Sequence, residues 1–272
     1  MSGPDLEALE EAYERGLAAE RAGDVPAAAA AWRACLAIDP EDRGGAAIRL
    51  AALDEAPSPE RAAPAYVATL FDQHAESFET TLVLSLGYAV PERIAETLDR
   101  LGLGPFAHGL DLGCGTGLVG EALEGSVEIL DGVDLSEGML EIAEEKELYA
   151  ALYAGDAVAF VEQVEAGAYD LIAAADVLPY LGAVEPLLRG VARALAPGGV
   201  VVLSTETLDR AAFDGTPGWR VGPKRRYAHA LSLMERLLAA RGLVVLAADP
   251  VTVRYETGEA VPGHLIVGQR PG

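Results

Sequence analysis

The stretch that most constrains this chain is HGLDLGCGTGLVG, residues 108–120, which sets five glycines in thirteen residues directly behind a short apolar run. An apolar run ending in glycines reads as a strand that stops at a tight loop, and a helical pattern restarts behind it. Glycines there let backbone N–H groups approach a ligand, and the following helix N-terminus adds partial positive charge. Two glycine spacings overlap in the loop. Gly115, Gly117 and Gly120 spell a dinucleotide fingerprint, whereas Gly113, Gly115 and Gly117 spell another pattern counted from the strand end. A dinucleotide loop that began at Gly113 would need its third glycine where Leu118 stands. A lone G-x-G-x-x-G carries little weight.

From residue 109 onward strands and helices alternate. Apolar strands are expected at 109–112, 127–133, 148–153, 170–174, 199–204, 244–253 and 265–267. Amphipathic helices separate the first five, and YAHALSLMERLLAARG fills the gap before the sixth. The short connection YETGEAVPGH makes the last two an antiparallel hairpin at a sheet edge. Such alternation predicts an α/β fold, a Rossmann-like seven-stranded, mostly parallel sheet with helices on both faces and a C-terminal antiparallel hairpin. In open sheets of this kind the ligand sits beyond the carboxyl ends of the strands.

The segment before it carries no strand signal. LEEAYERGLAAERAGDVPAAAAAWRACLAIDPED has a helical period broken at Gly23-Asp24 and stopped at Asp39-Pro40, which predicts two helices around a tight turn. Gly16, Gly23-Asp24, Ala28, Trp32 and the closing LAIDP resemble one tetratricopeptide repeat, although Ala19 is smaller than that pattern wants. A single repeat cannot bury its own apolar face, so these helices should dock on the main domain or form a homodimer contact. The expected division is 1–56 for the helical segment, 57–105 for a Pro-rich linker and cap or lid helices, and 106–272 for the α/β domain.

Charge and cysteines bound the partners. Twenty basic against 43 acidic residues give a formal charge of −23, which repels phosphate backbones and argues against nucleic acid. No apolar run reaches membrane-spanning length. Cys35 and Cys114 have no pairing signature, and the N-terminus MSGPDLEALEEAYERG lacks the basic and apolar regions of a secretion leader. A cytoplasmic protein with free thiols is expected.

LDLGCGTG resembles motif I of class I S-adenosylmethionine-dependent methyltransferases. Asp111, Gly113, Gly115 and Gly117 match that motif residue by residue. The resemblance implies that they line the methionine half of the cofactor, where a carboxylate faces sulfonium and ammonium charge. Asp134 ends the second strand and would accept hydrogen bonds from the ribose hydroxyls. Asp156 and Ala157 match the position that contacts the adenine amino group. The same resemblance places Cys114, Leu135, Met139 and Ala174 around the cofactor, with Tyr66 and Phe71 on a lid over residues 66–78. The helical N-terminus joined to YVATLFDQHAESFE is similar to a bacterial group of these enzymes that carries an N-terminal tetratricopeptide repeat.

The acceptor is less legible. Asp176-Val-Leu-Pro-Tyr180 departs from the Asn/Asp-Pro-Pro-Tyr of the amide and adenine amino-methylating branches. WRVGPKRRYAH is a basic cluster in an acidic chain, so Arg225, Arg226 and Tyr227 become candidate contacts to an anionic small molecule methylated on oxygen. His229, Tyr180 and His74 are candidates to orient or deprotonate the acceptor. Two other readings stay open: a methyltransferase directed at a protein through the N-terminal helices, and a nucleotide-dependent oxidoreductase using Gly115, Gly117 and Gly120.

Overall fold

The structure, a computed structural model, describes residues 5–272, so the first four residues of the expected helical segment lie outside the described residues. Helix α1 (Leu6–Ala22) starts at Asp5, whose carboxylate accepts from the Ala8 N–H, and stops at Gly23 in the left-handed conformation. Asp24 then caps α2 (Val25–Ile38), accepting from the Ala27 N–H at 3.0 Å. Asp24→Ala should therefore lower stability by about 1 kcal/mol, seen as a lower urea midpoint at unchanged m. The two helices pack through Trp32, which is fully buried against Gly16, where an added Cβ would lie 2.6 Å from the indole ring. Helix α3 (Ala46–Ala52) completes the unit.

This unit docks on the α/β domain of the same chain. Ile48 and Ala51 share a buried cluster with Trp219, Val221 and Tyr227. Arg220 pairs with Asp54 at 2.6 Å, and Arg225 with Glu20 at 3.2 Å. The Pro-rich linker is also more than a tether. Ala62 N–H donates to the Tyr180 carbonyl, and the Glu60 carbonyl accepts from Gly182 and Ala183, so residues 60–62 lie as a short strap along 180–183.

The sheet contains the seven expected strands: β1 (Phe106–Leu112), β2 (Val127–Asp134), β3 (Ala151–Ala154), β4 (Tyr169–Ala174), β5 (Leu195–Glu206), β8 (Val244–Glu256) and β9 (Glu259–Gln269). It also contains two short ones, β6 (Trp219–Val221) and β7 (Tyr227–His229), so it has nine strands rather than seven. The correction has a local cause. WRVGPKRRYAH turns back on itself, pairing Trp219 with His229 and Val221 with Tyr227, and three-residue strands are too short to show an alternation. The order is β3-β2-β1-β4-β5, all parallel, and β9 joins β5 antiparallel with β8 beyond it.

Helices α8 (Ala157–Gln163), α9 (Glu185–Ala194) and α10 (Leu231–Ala240) bury Val161, Leu187, Leu188, Met234 and Leu238 against one face. Helices α5 (Val90–Arg100) and α6 (Leu118–Ala122) bury Ile94, Leu98 and Val119 against the other. Because β1–β5 run parallel between these layers, their carboxyl ends open onto one edge. Over that edge lie α4 (Pro64–Asp72), a 3₁₀ turn at Ala75–Ser77 and a π-helical turn at Thr80–Ser85. Helix α7 (Glu137–Glu145) follows β2.

Candidate functional site

A cavity of about 320 Å³ occupies the carboxyl edge of the sheet beneath the lid. Its floor is the glycine loop. Gly113 and Gly115 take φ +69° and +54°, conformations that suit glycine, and a Cβ on Gly113 would sit 2.5 Å from Val177 Cγ2. Gly115 has open space where its Cβ would be. The Gly115 N–H donates to Asp134 Oδ2 at 2.9 Å and the Ser136 N–H to Oδ1 at 2.8 Å. Burial pushes the Asp134 carboxyl up, and those N–H groups partly offset it.

Asp111 lies behind the loop. It is fully buried, Oδ2 accepts from the Tyr149 hydroxyl at 2.8 Å, and Oδ1 has no partner among the described residues. Burial pushes its carboxyl up to about 7 against the hydrogen bond from Tyr149. Tyr149 also packs on Gly117 and Gly120, where added Cβ atoms would meet its ring at 3.2 and 2.9–3.1 Å. Asp156 caps α8, accepting from the Ala159 N–H, and is paired with Arg61 of the strap. Burial alone would raise its carboxyl, but Arg61 and the N–H contacts hold it below the ordinary carboxylate range.

The structure brings Gly113, Cys114, Gly115, Asp134, Leu135, Asp156, Ala157 and Phe71 to the cavity wall, together with His74, Tyr180 and Arg226. Asp111, Gly117, Met139, Ala174 and Tyr66 stand outside that wall. Met139 is fully buried on the inner face of α7, and Tyr66 packs over Gly45. The remaining candidates near the basic cluster point elsewhere. Arg225 reaches Glu20, and the Tyr227 hydroxyl donates to the Pro59 carbonyl at 2.7 Å. His229 is fully buried, with Nε2 3.2 Å from the Gly182 carbonyl, and burial pushes its pKa down to about 4. The short β7 strand turns it inward, away from the cavity.

The lid is clasped to the sheet edge. Asp72 accepts from the Ser136 hydroxyl at 2.6 Å and the Gly138 N–H at 3.2 Å, and Lys146 bridges Glu79 and Glu121. Phe71 makes an edge contact with Tyr180 at 5.4 Å. The far end of the cavity holds an ion-pair network that sequence reading missed. Arg254, almost fully buried, meets Asp176 at 3.0 Å, Glu256 at 2.7 Å and Glu206. Arg226 also pairs with Glu206 and Glu256, and Lys224 lies 3.4 Å from Glu256.

Fold and loop together define an α/β domain of the Rossmann-like class with a ligand cavity at its first strand–loop–helix unit. Residues 110–201 match a family model described as a methyltransferase domain. A ubiquinone biosynthesis O-methyltransferase of Xanthomonas campestris pv. campestris is 30% identical over 126 residues, 45% of this chain and 52% of that protein. The chain thus spans about half the length of that curated relative. Among solved structures, the [4+2]-cyclase SpnF superposes with TM-score 0.55 at 18% identity, covering 66% of this chain and 81% of that one. The magnesium protoporphyrin IX methyltransferase of Synechocystis PCC 6803 with bound SAM gives TM-score 0.50 at 19% identity, covering 66% and 78%. These likenesses carry the fold. The sequence match likens residues 110–201, about a third of the chain, to a methyltransferase domain.

Proposed function

We propose that the chain transfers a methyl group from S-adenosylmethionine to oxygen of a small molecule. The observation that carries this is the convergence of the Gly113–Gly115 loop, Asp134 and Asp156 on one cavity, with the orphaned Asp111 oxygen behind the loop. An acidic, glycine-floored pocket suits a ligand that carries ammonium and sulfonium charge and a ribose. Bound there, S-adenosylmethionine supplies an electrophilic methyl group. Asp134 would hold the ribose, Asp156 and Ala157 the adenine, and the Gly113 end the methionine portion. Phe71, Phe78 and Leu82 exclude water from above, and alignment in such a closed site recovers ~7–11 kcal/mol of an in-line transfer.

Acceptor on oxygen is the reading the named relatives favour. An anionic acid as acceptor has less support, because Arg226 and Arg254 are already paired and Arg225 faces the helical unit. We take residues 1–56 as that unit, 57–105 as strap and lid, and 106–272 as the catalytic domain. The tetratricopeptide-like reading of the unit agrees with its helical hairpin, and its Ile48–Ala51 face is spent on intramolecular docking, which favours a small-molecule acceptor over a protein.

Calorimetry with S-adenosylmethionine and S-adenosylhomocysteine tests the core of this reading. Dissociation constants on the order of micromolar are expected, and no heat of binding with either would sink it. Gly113→Ala should weaken binding at least about ten-fold, since a Cβ there needs a left-handed backbone costing ~1–2 kcal/mol and crowds Val177.

A further inference from the structure

Resting on the methyl-transfer reading, we propose that Asp176 is the base that takes the proton from a neutral hydroxyl acceptor. Asp176 follows β4, lines the cavity, and is reached just beyond the Gly113 end through its neighbour Val177. Its backbone sits at φ +54°, a left-handed conformation that aspartate and asparagine enter more readily than most residues. The surroundings hold the residue and its carboxylate in place. Ser204 does so twice, accepting from the Asp176 N–H at 2.8 Å and donating to Oδ1 at 3.1 Å, while Arg254 holds Oδ2.

Most other titratable groups on the wall are committed, and His74, whose Nδ1 lies 2.7 Å from the Leu70 carbonyl, stands exposed on the lid. Asp134 and Asp156 serve the glycine-loop side, and Glu256 is gripped by Arg226, Arg254 and Lys224. Burial drives Tyr88 and Tyr180 upward, so both keep their protons. The groups that bear on Asp176 are Arg254 from β8, Glu206 and Ser204 from β5, and Arg226 from the loop before β7. Burial outweighs Arg254 and brings Asp176 to about 6, ionised at neutral pH yet basic enough to accept a proton. Three cations face three carboxylates there, so the polar end has no spare charge for an anion, and Leu82, Leu86 and Leu181 offer an apolar wall. As the acceptor oxygen takes the methyl group, its proton passes to Asp176. The electron pair of the broken carbon–sulfur bond stays on sulfur, and water carries the proton away.

The test uses the full chain and its Asp176→Asn variant, asparagine being at home in the left-handed conformation. Both are saturated with S-adenosylhomocysteine and titrated with 4-nitrophenol, whose absorbance reports its own ionisation. The wild-type protein should bind the neutral phenol and lose affinity by roughly ten-fold per pH unit above the probe's pKa, because a carboxylate repels phenolate. The asparagine variant should bind both forms within about three-fold of each other. Equal discrimination by both proteins, or no nitrophenol binding to the wild-type complex, overturns the assignment of Asp176 alone. Failure of S-adenosylhomocysteine itself to bind overturns the methyltransferase reading and this one with it.

Discussion

Arg254→Met should destabilise the protein by about 3–5 kcal/mol at pH 8, because it strands buried Glu206 and the largely buried Asp176 and Glu256 while filling most of the side chain's volume. Arg254 is the hub: among the described residues Asp176, at 3.0 Å, has no other cation in contact, and Glu206 and Glu256 would keep only Arg226 and Lys224. The pH dependence gives the loss its signature. Burial raises Glu256, but the guanidiniums more than reverse this and hold it below 4.5, so its contribution is present above that value and fades as acid protonates it. Without Arg254, the carboxyl groups of Asp176 and Glu256 rise instead, and groups raised on folding favour the native state at low pH. The variant's deficit should therefore shrink as pH falls from about 8 to 5. Urea unfolding at both pH values reads this out; a deficit under about 1 kcal/mol, or one that does not change with pH, means the network is solvated.

Why sequence missed this hub is a matter of periodicity. In DPVTVRYETGE, Arg254 sits beside Val253 and Tyr255 in a strand that reads as the edge of a hairpin, where an arginine passes for a solvent-facing charge. Its burial depends on Asp176 and Glu206, distant in sequence and brought alongside only by the antiparallel pairing of β9 with β5. Arg61 was hidden in the same way, since APSPERAAP has the composition of a linker and its strap pairing with Leu181 has no local signature. His229 misled in the opposite direction: a histidine next to a basic cluster looks exposed, yet the β6–β7 turn folds it inward. By contrast, Asp111, Asp134 and Asp156 were legible because each closes or directly follows an apolar run, and parallel topology carries all three to one edge. Local patterns placed the glycine loop and the acids around it, while the ion-pair end of the cavity is assembled from strands that meet late in the chain.

Asp111→Asn should stabilise the protein at pH 8 while weakening the cofactor. The carboxyl is fully buried, one oxygen lacks a partner among the described residues, and its pKa moves from 3.8 to about 7 on folding. A carboxyl raised on folding binds more protons in the native state, so its penalty is absent near pH 4 and complete above about 7. At 1.36 kcal/mol per unit the ceiling is about 4 kcal/mol, and the asparagine, still able to accept from Tyr149, should recover roughly 2–4 of it at pH 8 and nothing near pH 4. Denaturant titrations at the two pH values would check the sign. Binding should move the other way: on the proposed reading, losing a carboxylate buried behind the glycine loop should weaken S-adenosylmethionine at least about ten-fold, and S-adenosylhomocysteine, whose sulfur is uncharged, by less. Wild-type affinity should also rise as pH climbs from about 6 to 8, because the ligand selects the ionised carboxyl, whereas the variant should lose most of that slope. A variant that is less stable at pH 8 would make Asp111 a structural acceptor for Tyr149. One that is more stable and binds as tightly as the wild type would leave the buried charge without a purpose at this loop. The predicted pair of opposite signs is what a residue kept for its ligand at the fold's expense must show.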